Sequence, residues 1–380
     1  MNRREFNRNV LAAAGAAAAL FTPGAAGATG AVGALPVKDA QSDDAFGPKG
    51  LTDVEGLKVG HFTDQRRPTG CTVVLCEQGA VAGVDVRGGA PGTRETDLLN
   101  PVNAVQQIYG LVLSGGSSFG LDTATGVMRY LEEKKIGYPM GPVIRVPIVP
   151  AAILFDLGVG DWKIRPDAES GYKACLAANS DKIEEGNVGA GAGATVGKMF
   201  TSKFAMKGGL GTASIRVGQT GLVVAAMVAT NGAGDVYDPR TGSILAGSRT
   251  DDGKGFRNAI AQMRQGHWPP PQPGRNTTLG VVATNAKLTK DQATKVAQMA
   301  HDGYARAINP VHTPFDGDTI FALSTGTLAG PAEEPGSRDY DVRTVLIGAL
   351  AADAMAEAIV RAVRQATGIP GYPSLHELHA

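Results

Sequence analysis

A hydroxyl side chain becomes a nucleophile when a base stands beside it and the backbone presents it at a turn or a strand end. Two places in this chain meet the sequence half of that requirement. The first is Gly116-Ser117-Ser118-Phe119-Gly120, a GxSxG that follows the strand-like run Leu111 to Leu113 and opens a helical pattern. That is the context of a nucleophile elbow with Ser118 as the attacking group. A serine esterase of this kind also needs an acid and then a histidine further along, and Asp316 and His376 occur in that order. Against it, the upstream glycines read Arg87-Gly88-Gly89-Ala90-Pro91-Gly92, without the histidine of an oxyanion loop, and the regular strand-helix alternation stops after Val149. The second place is Asn276-Thr277-Thr278-Leu279-Gly280-Val281, where a threonine stands between a Pro-rich stretch and an apolar strand. Attack of Thr277 on the Asn276 carbonyl would shift the bond to an ester, and hydrolysis would release the Thr277 α-amine. With an intrinsic pKa of about 7.7 to 8, that amine is partly neutral near pH 7, so nucleophile and general base arrive on one residue.

Other groups narrow the chemistry. Asp316-Gly317-Asp318 places two carboxylates two residues apart before the strand-like Thr319 to Ser324, and an extended segment would point both to one side. Such a pair can orient a threonine amine or hold a cationic group of a substrate, although the same residues also make an ordinary surface turn. The Gly-rich segment Gly189 to Lys198 is not a Walker loop, because Ala192 stands where its first glycine belongs and Met199 follows Lys198. The six histidines form no HExxH; His376-Glu377-Leu378-His379 is one residue short of it, so no metal is expected, and no organic cofactor either.

These groups need a scaffold, and the totals allow one. The 380 residues are 43% hydrophobic, enough for one large core or two ordinary ones, and 36 basic residues balance 36 acidic ones. That balance leaves no electrostatic footprint for nucleic acid or an anionic membrane and favours a small-molecule or peptide substrate. The three cysteines have no metal spacing, which makes free, buried thiols the expectation. Strand-like runs at Thr72 to Leu75, Ala80 to Val86 and Gly221 to Val228 mix with a helical pattern at Leu121 to Glu133. His267-Trp268-Pro269-Pro270-Pro271-Gln272-Pro273-Gly274 then breaks the chain with an extended surface segment. After it, Thr277 to Thr284 reads as a buried strand, Lys290 to Ile308 as an amphipathic helix and Val342 to Ala366 as a long Ala-rich helix. At the N-terminus, Arg3-Arg4-Glu5-Phe6, the apolar run Leu11 to Phe21 and the small residues Ala25 to Ala28 follow the order of a twin-arginine signal. Residues 1–35 are therefore expected to be a leader that sends the protein to the periplasm or outside the cell. No segment is long and apolar enough for a membrane span.

Long stretches of the chain resemble the DmpA-type peptidases, a family that includes aminopeptidases and nylon-oligomer hydrolases. They include Ala82-Gly83-Val84-Asp85-Val86-Arg87-Gly88-Gly89, Ser114-Gly115-Gly116-Ser117-Ser118-Phe119-Gly120, Gly193-Ala194-Thr195-Val196-Gly197-Lys198 and Lys207-Gly208-Gly209-Leu210-Gly211-Thr212. The resemblance implies an α+β fold, a four-layer αββα sandwich of the N-terminal-nucleophile type. It also implies autocleavage between Asn276 and Thr277 into a large chain (50–276) and a small one (277–380), and a homo-oligomer of the processed heterodimers. Thr277 then looks like the nucleophile, Asn231 the oxyanion donor, Lys198 the residue assisting the nucleophile, and Asp316 with Asp318 the paired acids. The motifs around Thr277 and Asp318 look closest to the nylon-oligomer hydrolases. Ser117 and Ser118 become residues lining the substrate site, as does Phe155, which stands where several relatives have a tyrosine. A serine esterase acting through Ser118 and a non-catalytic binding protein on the same scaffold stay open as alternatives.

Overall fold

The computed structural model describes residues 46–270, 274–329 and 337–378. The expected leader at residues 1–35 lies outside them. Nine strands form one large sheet: β1 (Lys58–Thr63), β2 (Gly70–Val86), β3 (Thr93–Arg94), β4 (Gln107–Ser114), β5 (Ala151–Ile153), β6 (Gly209–Arg216), β7 (Val223–Asn231), β8 (Thr277–Thr284) and β9 (Thr319–Ser324). Their order is β6-β7-β8-β9-β2-β4-β5-β3, with β1 also pairing β2. The pairs β8·β9 and β4·β5 are parallel and the others antiparallel. The main helices are α1 (Thr123–Glu133), α2 (Ala168–Ala177), α3 (Ala259–Arg264), α4 (Lys290–Ala307) and α5 (Arg338–Arg364), with a final turn α6 (Leu375–Leu378).

Strand β2 explains how one sheet makes two layers. Its first residues pair with β1 and β4, and residues 81–86 pair with β9. Between them the register slips at the bulge spanning Leu75 to Ala80, where Gly79 takes φ +86°. A bulge adds twist and bends the strand, which carries the sheet around onto itself. Side-chain alternation then fills three seams. On β7, Val224, Ala226 and Val228 face α4 and α5, whereas Val223, Ala225 and Met227 face the opposite half of the sheet. Leu279 and Val281 of β8 and Phe321 and Leu323 of β9 join that inner seam, against Val74, Leu111 and Leu113. Cys71, Val73 and Val112 turn outward onto Val127 and Leu131 of α1 and Ala174 of α2. The layers are therefore helix, sheet half, sheet half, helix, the expected αββα arrangement, with both sheet layers continuous through β2.

Local sequence sets the helix positions. Thr289 and Gln292 form a capping box at the start of α4, and the Ser337 hydroxyl accepts from Tyr340 N–H to start α5. Helix α5 lies close on β6 because Gly209 and Gly211 have no side chains; a β-carbon on Gly211 would fall 2.0 Å from Ala358 O. The three cysteines are free and buried, as expected. Among the described residues, no helix is long and apolar enough to cross a membrane.

Candidate active site

Three neighbouring strands end at one edge of the sheet. Asn231 is the last residue of β7 and pairs with Thr277, the first of β8; β9 begins at Thr319, directly after Asp318. Hydrogen-bonding strand geometry thus brings together residues far apart in the sequence, and all of them are buried: Asn231 and Asp318 are 0% exposed, Asp316 is 1% and Thr277 is 2%. Thr277 Oγ1 donates to the Asn276 carbonyl oxygen at 2.5 Å, and Gly317 N–H donates to the same oxygen at 2.9 Å. Only a glycine fits at 317, because a β-carbon there would stand 2.7 Å from Thr277 Oγ1.

Lys198 and Asn231 form one unit. Lys198 Nζ donates to Asn231 Oδ1 at 2.9 Å, to Asn231 O at 3.0 Å and to Arg275 O at 3.5 Å. Thr195 N–H also donates to Asn231 Oδ1, at 2.9 Å. With its oxygen engaged twice, the Asn231 amide must turn its Nδ2 the other way, where it donates to Phe155 O at 3.2 Å and keeps a second N–H in hand. Burial pushes the Lys198 ammonium down to about 7, against the opposing pull of the Asp316 and Asp156 carboxylates. A lysine shifted this far can lose its proton near neutral pH, which makes it a candidate proton acceptor.

The two acids diverge in their partners. Asp316 accepts from Ala233 N–H at 3.1 Å and from the Thr313 hydroxyl, and burial followed by the nearby Asp318 raises its pKa to about 6. Asp318 Oδ1 accepts from Thr278 N–H at 2.8 Å, while its Oδ2 accepts from His312 N–H at 3.0 Å and faces His312 Nδ1 at 3.0 Å. The two carboxylates lie near one another, close enough for Asp318 to raise the pKa of Asp316. Asn276 and Asp316 form a parallel bridge in the register of the β8·β9 pairing, and along this segment Asp316 bonds to Ala233 N–H and Asp318 to Thr278 N–H. His312, held at φ +57°, packs against His301 at 4.7 Å between ring centroids and stacks on Tyr304. Nothing in the local sequence separated His312 from the other histidines.

A cleft of about 210 Å³ opens beside Lys198, walled by Phe155, Leu157, Val159 and Thr195. Phe155, expected at the substrate site, lines this cleft. Ser117 and Ser118 do not line this cleft: Ser117 N–H is bound to Leu154 O, and Ser118 is exposed. Asp316 is turned into the buried network, and His376 Nε2 lies 2.7 Å from Arg364 O, so no acid and histidine converge on Ser118. The glycine motif has another use. Gly116 N–H donates to Asp156 Oδ1 at 2.9 Å, beside the buried Arg67 to Asp156 ion pair at 2.5 Å and the Thr69 hydroxyl at 2.6 Å. Arg67 also donates to Asp156 O and Val159 O, which fixes the cleft wall. Lys207, fully buried, donates to Gly191 O, Ala194 O and Gly208 O and so closes the Gly-rich loop that carries Thr195. Neither Arg67, Asp156 nor Lys207 had a local signal in the sequence, since a lone charged residue gives no sign of burial.

In this αββα sandwich a buried hydroxyl at the start of an inner strand stands near a buried lysine of lowered pKa and the side-chain amide that the lysine holds. The chain belongs to peptidase family S58, which it matches over residues 49–376. It is 43% identical over 350 residues to an uncharacterised aminopeptidase of Mycobacterium tuberculosis, covering 86% of this chain and 97% of that relative. It is 29% identical over 316 residues to a 6-aminohexanoate-oligomer endohydrolase of a Kocuria species, covering 82% of this chain and 85% of the relative. Among solved structures, an L-aminopeptidase D-Ala-esterase/amidase of Ochrobactrum anthropi, described as a variant of the Ntn-hydrolase fold, superposes with a TM-score of 0.62 at 22% identity, covering 88% of this chain and 93% of that one. A Burkholderia β-aminopeptidase superposes with a TM-score of 0.60, also at 22% identity, covering 85% and 88%. The protein is a hydrolase of amide or peptide bonds.

Proposed function

We propose that Thr277 is both the site of self-cleavage and the nucleophile of an exported aminopeptidase or amidase. The observation that carries this reading is the placement of Thr277 Oγ1 against the Asn276 carbonyl at the buried head of β8. In the first stage, Oγ attacks the Asn276 carbonyl carbon, and the developing oxyanion keeps its bond from Gly317 N–H. The hydroxyl proton passes through neutral Lys198 to the departing Thr277 amine, leaving an ester that water splits into the Asn276 carboxylate and a free Thr277. In the mature enzyme the Thr277 α-amine takes the Oγ proton, and Oγ attacks the substrate carbonyl. The spare N–H of Asn231 Nδ2 meets the oxyanion, the substrate amine leaves with the proton, and water then frees the acyl group.

The same site favours substrates with a free amino end, namely short peptides, amino-acid amides or ω-amino-acid oligomers. Asp316 and Asp318 supply carboxyl groups beside the nucleophile, and the names of the relatives cited above point to the same classes. Residues 50–276 and 277–380 would remain together as large and small chains. The exposed apolar residues Val342, Val345 and Leu346 on α5 support assembly of these pairs into a homo-oligomer, which light scattering of the purified protein checks. Intact mass and N-terminal sequencing test the central point: the wild type should yield a fragment beginning at Thr277, and Thr277→Ala should stay whole. A wild type that remains whole after prolonged incubation overturns the reading.

A further inference from the structure

We propose that Tyr372 is a substrate-contacting residue whose phenol hydrogen-bonds to a second amide of the bound chain, so that oligomeric amides are preferred to single-residue amides. This rests on Thr277 being the nucleophile. The buried charged side chains around the cleft are engaged elsewhere. Lys198 is engaged with Asn231, and Asp156 with Arg67, Thr69 and Gly116 N–H. Ser202 and Arg275 are exposed, and Arg275 is the second residue before the proposed cut, on the segment that cleavage would release from β8. Tyr372 is partly buried, lines the cleft opposite no other phenol, and its hydroxyl has no hydrogen-bond partner among the described residues. An unpaired phenol over a mostly apolar wall is a hydrogen-bonding group left for a ligand.

The backbone holds Tyr372 firmly. Ile369-Pro370-Gly371-Tyr372 is a tight turn closed by Tyr372 N–H to Ile369 O at 2.8 Å and Ile369 N–H to Tyr372 O at 3.0 Å, with Gly371 at φ +86°. The next residue, Pro373, accepts from Lys207 N–H at 2.9 Å, and Lys207 is the residue whose ammonium closes the loop carrying Thr195. The phenol is thereby tied to the same framework that orients Asn231, which is the arrangement a positioned binding group needs. Tyr372 shares the cleft with Lys198 and Arg275, whereas Thr277 is not among the residues that line it, so the phenol would meet a bound chain away from the bond being cut.

The test uses the full chain carrying Tyr372→Phe, which keeps the ring and its packing. Processing is read by intact mass, and kcat/KM is measured on one amino-acid amide and on a trimer of the same amino acid. Intact processing, an unchanged value for the amide and a fall of about 3- to 10-fold for the trimer, carried by KM, are the expected results for loss of one hydrogen bond. Equal values for wild type and variant on both substrates, or an equal fall on both, overturn the proposal while Thr277 stands. An unprocessed and inactive wild type overturns both.

Discussion

Two regions of this molecule offer a hydroxyl at the end of a strand, and only one of them is equipped to use it. At Ser118 the side chain is exposed, no hydrogen bond to a histidine is seen among the described residues, and the surrounding glycines serve to bring Gly116 N–H onto the buried Asp156. At Thr277 the hydroxyl is buried between Gly317 and Asn231, with a lysine and an aspartic acid whose pKa values burial has moved to about 7 and about 6. The difference lies in the cost of desolvation. A group kept in water retains its ordinary acidity, whereas burial shifts charged groups towards neutrality and gives each remaining hydrogen bond more force. A motif records the turn that presents a side chain, and the medium around that turn decides its reactivity.

Substitutions at the two regions should separate them widely. Thr277→Ala should abolish processing and lower amide turnover by at least about 10⁴-fold, a loss typical of nucleophile removal, as read by mass and by turnover. Lys198→Met should slow processing by about 10²- to 10⁴-fold. In the wild type the processing rate should fall as pH drops through about 7, because the neutral amine that accepts the proton is lost there. Time courses from pH 5 to 9 check this, and a rate independent of pH across 6 to 8 would remove Lys198 from the step. Asn231→Ala should lower kcat by about 10²- to 10³-fold, with a smaller change in KM, as expected for a donor that acts on the transition state. Ser118→Ala should change kcat/KM by less than about twofold, since it deletes an exposed hydroxyl. A large effect there would erase the contrast between the two regions.

Much of this was legible in the sequence, and the failures have physical causes. Strands β8 and β9 have the boundaries their apolar runs announce, and α4 ends within a residue of its pattern, because buried strands and capped amphipathic helices write their period into composition. Strand β6 was hidden by Gly209 and Gly211, whose missing side chains make room for α5 and so erase the strand signal. Strand β2 continues through Gln78 and Gly79, where the pattern reads as a break, because the bulge keeps the pairing while changing the register. Thr277, Asp316 and Asp318 could be picked out from local context. Asn231 and Lys198 came from resemblance alone, and the buried partners Arg67, Asp156, Lys207 and His312 depend on contacts between distant segments that no local pattern records.

The position of β8 and β9 in the sheet has a consequence for the life of the molecule. Both strands belong to the part of the chain after Thr277, yet they sit between β7 and β2 of the part before it. If the chain is cut before Thr277 as proposed, neither piece can leave without tearing out the middle of the sheet, and the halves stay interlocked as long as the fold lasts. Should heat or denaturant undo it, the pieces would have to find each other in solution, a concentration-dependent encounter that the uncut chain never faced. A protein cut in this way would keep a shape that it could assemble easily only once, while it was still whole.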